Sequence, residues 1–333
     1  MITLHRNRAA RTVALLSLVG ALGATAACGG GTQGAGEKAT KRLRIAATGA
    51  DSLPFMAILQ VAIDKGWFKA KGLDVSIYSG GGGGNTLRVV GTGDADMAIA
   101  GNTSVVLAGQ RAGSQITIVA PWFQVNDFYW IGTKAGVNPA TAKLGFSSAG
   151  STTELIVKAL KKKMPGISTI GVGAEGDNWA AAKSGRIDAG WAMHPFVTQK
   201  QESDGAKTLI AARDQIGDFP ADLVAVNSGY ADANKSNLTS FFTVVDKMFG
   251  YVRDQPDKAA TDIAPLLKID PKTMKKALAD TPAMDTAYGL KVDPAGLKNL
   301  SNLMVQTGQI KKPVDWSTAL DQSYLPSADR AKL

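Results

Sequence analysis

The sequence predicts an α/β fold of two doubly wound lobes with a ligand cleft between them. Strand-like and helix-like segments alternate from Leu43 to Ala192, the pattern of a mainly parallel sheet covered by helices. About three hundred residues follow the N-terminal leader, more than one compact core usually serves, which suits two lobes. A short string, helix end then Gly, two residues and Asp before a strand, occurs in each half: Gly93-Asp94-Ala95-Asp96 and Gly185-Arg186-Ile187-Asp188.

The elements follow in order. Leu43 to Ala47 reads as a strand, and Phe55 to Lys65 as a helix with Met56, Leu59 and Ile63 at helical spacing, stopped at Gly66. Leu73 to Tyr78 alternates as a strand. The Gly80–Gly84 run precedes a helix from Thr86 to Thr92. Ala95 to Ala100 is a strand, Val105 to Arg111 a helix and Ile116 to Ala120 a strand. The pattern repeats with strands at Lys143–Ser147, Thr169–Val172 and Ile187–Ala192 and helices at Glu154–Lys163 and Asn178–Ser184. Leu223 to Val226 reads as the strand returning to the first lobe, and the chain from Leu238 onward is mostly helical with proline breaks.

The leader sets the expected compartment. Arg6, Arg8 and Arg11 precede an uncharged apolar stretch from Thr12 to Ala27, too short to span a bilayer, and the pattern is that of a secretory signal. It ends at Cys28, the one cysteine of the chain, in the string Ala24-Thr25-Ala26-Ala27-Cys28-Gly29-Gly30. That string resembles a bacterial lipobox, with Thr25 where an aliphatic residue is usual. A lone thiol in an exported protein calls for a purpose, and lipidation supplies one; a plain signal-peptidase site is the alternative. Residues 1–27 are thus expected to be a signal peptide and 28–41 a lipidated, Gly-rich flexible tether. Lobe 1 is expected to comprise 42–125 and 225–333, and lobe 2 126–224, with crossings near Gln124–Tyr129 and Asp222–Asn227. The net charge of +9 falls to +6 once the three leader arginines are removed. Lys and Arg are scattered, without the motifs of nucleic-acid binding.

The doubled Gly-Asp string, Gly66-Trp67-Phe68 leading to Gly72-Leu73-Asp74-Val75, and the loop Leu144 to Thr152 occur in the order seen in the nitrate/sulfonate/taurine family of periplasmic binding proteins, and the chain resembles that family from Leu43 to Asn227. The resemblance implies the type II periplasmic binding protein fold, with ligand held at the carboxyl ends of the strands, as open parallel sheets generally do. It further implies an extracytoplasmic, membrane-anchored monomer without catalysis, cofactor or metal. Such a protein delivers a small sulfonate, taurine-like, nitrate-like or related organic solute to the permease and ATPase of an ABC importer. A binding protein for an aromatic or amine ligand, and an exported enzyme of the same fold, are the competing readings.

Candidate ligand residues are drawn from the strand ends. Ser151 and Thr152 open a helix, and Ser151 with Glu154 forms a capping-box string; helix N-termini present free N–H groups to anions. Gly84 and Asn85 close the glycine run, whose backbone N–H groups can face a ligand. Asn102, Thr103 and Ser104 follow one strand, and Asp51, Ser52 and Leu53 another. Asn126 lies at the first crossing. Trp179 follows a polar loop and offers a stacking face. His194, the one histidine beyond the leader, is a ligand-contacting or structural residue rather than a catalytic base.

Overall fold

A computed structural model describes residues 41–333; the expected signal peptide, Cys28 and nearly all of the tether lie outside the described residues. The first stretch runs β1 (Lys41–Ala47), α1 (Pro54–Asp64), β2 (Leu73–Ser79), α2 (Gly83–Gly91), β3 (Met97–Gly101), α3 (Asn102–Gly109) and β4 (Ile116–Trp122). The second runs β5 (Tyr129–Gly132), β6 (Lys143–Phe146), α4 (Thr152–Lys163), β7 (Ser168–Gly171), α5 (Glu175–Lys183), β8 (Gly190–Ala192), α6 (Phe196–Asp204), β9 (Lys207–Ala211) and α7 (Ala212–Ile216). The chain then returns through β10 (Asp222–Asn227) to a helical tail whose longest members are α8 (Lys235–Asp254), α9 (Pro256–Leu267), α10 (Pro271–Ala279) and α11 (Pro294–Gln306).

The two sheets share one design. The first is five-stranded in the order β2-β1-β3-β10-β4, with only β10 antiparallel to its neighbours. In the second half β7 pairs with β6, and β8-β5-β9 forms a ladder in which β5 is antiparallel to both neighbours. A bridge between Leu144 and Ala189 joins the two pieces. The resulting order, β7-β6-β8-β5-β9, matches the first sheet position for position. In each sheet the odd, antiparallel strand is the one that arrives from the other half of the chain.

The doubled Gly-Asp string explains part of this likeness. Asp96 accepts the backbone N–H of Arg44 on β1 at 2.8 Å, and Asp188 accepts that of Lys143 on β6 at 2.8 Å. Each aspartate therefore ties the start of the third strand to the first strand of its own sheet. Asp96 is further fixed by the Arg44 guanidinium at 2.7 Å, which also donates to the Gly93 and Asp94 carbonyls. Both faces of β1 are covered, leaving Leu43, Ile45, Ala46 and Ala47 without solvent exposure, as expected for a strand in the middle of a sheet with helices on both sides.

Three features differ from expectation. β5 and β9 were not legible as strands, and Tyr129 already belongs to the second sheet. The second crossing falls at Gly217–Ala221, because Asp222 to Asn227 pair along their whole length with β3 and β4. Residues 222–224 consequently belong to the first sheet rather than to the second lobe. The two crossings are bound together because Asn126 donates twice, from its backbone N–H to the Asp218 carboxylate at 3.1 Å and from its side-chain amide to the Gly217 carbonyl at 2.9 Å, and the Ala221 N–H donates to the Phe123 carbonyl.

Removing the Asp96 carboxylate leaves the Arg44 N–H without an acceptor between two strands. Asp96→Ala is expected to lower unfolding stability by about 1–3 kcal/mol in a urea titration. Asp94→Ala, two residues away and exposed, should change it by less than about 0.5 kcal/mol.

Candidate functional site

A single large cleft, about 1190 Å³, opens where the strands end. Its wall takes Thr48 and Gly49 after β1, Ser79 at the end of β2, Gly101 at the end of β3, Ser147 after β6, Gly173 after β7 and Met193 after β8. The volume exceeds that of typical drug-sized ligand pockets, because a groove between α2 and α3 continues from it.

Seven of the expected residues line the cleft: Asp51, Ser52, Leu53, Gly84, Ser104, Ser151 and Thr152. Their local geometry redefines several of them. Ser151 caps α4 by accepting the Glu154 N–H at 3.1 Å, but Glu154 reaches Gly150 N–H rather than that of Ser151, so only half of the capping box forms. Thr152 Oγ donates to Asn102 Oδ1 at 3.1 Å, and Ser104 Oγ donates to the Gly150 carbonyl at 3.1 Å. These two bonds run from one half of the cleft to the other. The glycine run shapes the turn and leaves the start of α2 without a side-chain cap: Gly82 has φ +133°, and a Cβ on Gly80 would fall 1.9 Å from Thr86 Oγ1.

The other expected residues lie elsewhere. Asn85 is exposed on α2 and does not line the cleft. Asn102 and Thr103 have no solvent exposure; the Asn102 amide donates to the Pro220 carbonyl at 2.6 Å while its oxygen accepts from Thr103 and Thr152. Asn126 ties the crossings together, as above. Trp179 packs into a small core with Ile131, Ala192 and Val197. The cause is the start of α5, which begins at Glu175 and not at Asn178. That three-residue advance turns Trp179 toward the sheet. His194 is buried, with Nδ1 2.7 Å from Thr198 Oγ1, and does not reach the cleft.

The cleft has its own residues that sequence reasoning missed. Glu175, the first residue of α5, is 8 % exposed, and its Oε1 accepts the Met193 N–H at 2.7 Å. Asp222, the first residue of β10, is 6 % exposed. Phe128, Trp191 and Phe196 form an aromatic wall. Phe128 and Trp191 lie 6.4 Å apart at 44°, and Trp191 is held by a 3.0 Å bond from its indole N–H to the Gly173 carbonyl. Burial pushes the Glu175 carboxyl up from 4.5 to about 8, against the opposing pull of the Met193 N–H, and pushes Asp222 up from 3.8 to about 7.

These shifts carry a sign. Both groups bind protons more tightly in the folded chain, so their contribution to stability is fully present below 4.5 and 3.8 and is lost as pH rises through about 8 and 7. The urea midpoint of the ligand-free protein is expected to fall across that window. Glu175→Gln, uncharged throughout, should flatten the upper part of the fall; an unchanged slope would remove Glu175 from the explanation.

Residues 54–259 match the family described as NMT1/THI5 like. No curated protein matches. Among solved structures, the chain is similar to the ligand-binding component of an ABC-type import system from Staphylococcus aureus, at TM-score 0.71 and 18 % identity over 87 % of this chain and 100 % of that one. It is also similar to the alkanesulfonate-binding protein SsuA of Xanthomonas axonopodis pv. citri, at 0.67 and 16 % over 86 % and 99 %. A third likeness is to the periplasmic nitrate-binding protein NrtA of Synechocystis PCC 6803, at 0.63 and 14 % over 87 % and 83 %. The fold is that of the periplasmic binding proteins, as the sequence leads one to expect. The family match spans well over half of the chain, and the protein belongs to the NMT1/THI5-like family.

Proposed function

We propose that the protein is an extracytoplasmic solute-binding lipoprotein of an ABC importer, which captures a small organic solute and releases it unchanged. The observation that carries this reading is the cleft at the carboxyl ends of two like sheets, joined by two adjacent crossings. Two crossings side by side form a hinge, and closure of two lobes on a solute is an established binding-protein motion. The direct bonds Thr152 to Asn102 and Ser104 to Gly150 give closure a few contacts of its own. A solute that bridges the same gap adds to them and shifts the balance by its differential affinity.

An enzymatic reading finds less to stand on. The cleft walls hold hydroxyls at Ser104, Ser147 and Ser151 but no imidazole beside them, since His194 is engaged with Thr198 outside the cleft. Export and anchoring rest on the leader and on Cys28. Among the described residues no helix is long and apolar enough to cross a membrane, so an anchor must be supplied from elsewhere, and an acylated Cys28 followed by a Gly-rich tether supplies it.

The solute is expected to tighten the molecule without being altered. Trp122 and Trp130 are fully buried, which leaves the half-buried Trp191 as the reporter in the cleft. Ligand should shift tryptophan emission, Trp191→Phe should abolish most of that shift, and the radius of gyration in solution scattering should shrink. Recovery of a converted product after denaturation would replace import by catalysis. Separately, Cys28→Ser is expected to move the protein from the membrane fraction to the soluble one; retention in the membrane would remove the lipid anchor.

A further inference from the structure

The charges in the cleft are sorted by depth. Glu175 and Asp222 are both more than nine-tenths buried. Asp222 has no hydrogen-bond or ion-pair partner among the described residues, and Glu175 has one only on Oε1, so that three carboxyl oxygens of these two cleft-lining residues are unpartnered there. The positive groups of the lining, Arg88 and Arg111, are exposed. Arg88 is the sixth residue of α2 and Arg111 stands two residues past the end of α3. Both helices start at the cleft, so Arg88 sits ~7 Å down its axis and Arg111 farther still, in the groove that leads away from the strand ends.

In the second half some of the N–H groups at the helix starts are already engaged by side chains. The N-terminus of α4 is occupied by Ser151 and Glu154, and the N–H before α5 donates to Asp177 at 3.1 Å. An anion seated beside Glu175 and Asp222 would meet buried carboxyls, while in the first half the start of α2, which has no side-chain cap, offers it free N–H groups. A cation would meet two carboxyls that lack a counter-ion among the described residues, at a burial where a lone carboxylate is costlier than a paired one. The aromatic wall fits the same guest, since a ring stacks on Phe128 or Phe196 and a cationic nitrogen is attracted by the face of Trp191.

Resting on the import reading above, we infer that the solute is an organic cation, a protonated amine or amidine on an aromatic or apolar body, clamped between Asp222 of the first sheet and Glu175 at the start of α5 in the second half. The clamp needs both halves. One carboxyl comes from β10 and the other from α5, so the nitrogen is fully paired only when the cleft is closed around it.

The test is a binding panel on the purified protein, read by calorimetry and thermal shift. Benzylamine, phenethylamine and benzamidine form the cationic arm; benzenesulfonate, ethanesulfonate and nitrate form the comparison arm. At least one monocation is expected to bind and raise the melting temperature, with the anions silent. Asp222→Asn and Glu175→Gln should each weaken that binding about tenfold or more, while retaining the melting temperature of a folded protein without ligand. Binding of benzenesulfonate or nitrate that survives Asp222→Asn would overturn the ligand class and leave import standing, and so would silence from all three cations. Cations that bind through Asp222 but are recovered chemically altered would keep the clamp and overturn import.

Discussion

A carboxyl group buried without a cation costs free energy in the folded state, and Asp222 and Glu175 both face that cost at the bottom of the cleft. The Met193 N–H relieves Glu175 in part, and among the described residues no cationic side chain pairs with either carboxyl. The arginine nearest in sequence to Glu175, Arg186, lies beyond the end of α5, and Arg213 is spent on Asp218 at 2.8 Å. The groups instead take up protons, which accounts for the upward displacement of both. Cores tolerate such features mainly at sites of function, and here the two groups share a cavity wide enough for a guest.

The rest of the molecule holds these groups in place. Asp96 and Asp188 pin the third strand of each sheet to the first, so the strand ends that carry Gly101 and Met193 are set at fixed heights. The Met193 N–H in turn holds Glu175, and Trp191 is fixed through Gly173. Asp222 is placed by β10, whose full pairing with β3 and β4 leaves its first residue no freedom. Asn126 ties the two crossings together through the Gly217 carbonyl.

Much of this was legible in the sequence because it follows from periodicity and caps. The alternation of elements, the doubled Gly-Asp string and the Ser151 cap all depend on local chemistry. What escaped depends on tertiary placement. β5 is four residues long and follows Asn126-Asp127, so it reads as a crossing. Glu175 sits in Gly173-Ala174-Glu175-Gly176-Asp177, a string that looks like an exposed polar turn; it is buried because α5 starts early and a backbone N–H from another strand meets it. Asp222 was missed for a different reason. Ligands are sought at the carboxyl ends of parallel strands, and β10 runs the other way, so its amino end meets the cleft. Trp179 was expected there because it follows a polar loop, and His194 as either a ligand contact or a structural residue; the helix phase of α5 and the Thr198 bond place both in buried surroundings.

If buried carboxyls await a cation, binding must expel the protons they hold. The direct measurement is calorimetry of benzylamine binding near pH 7 in two buffers of different ionisation enthalpy, which counts protons exchanged. The account predicts net proton release, reduced in Asp222→Asn and in Glu175→Gln. Proton uptake, or binding with no exchange in either buffer, would contradict it.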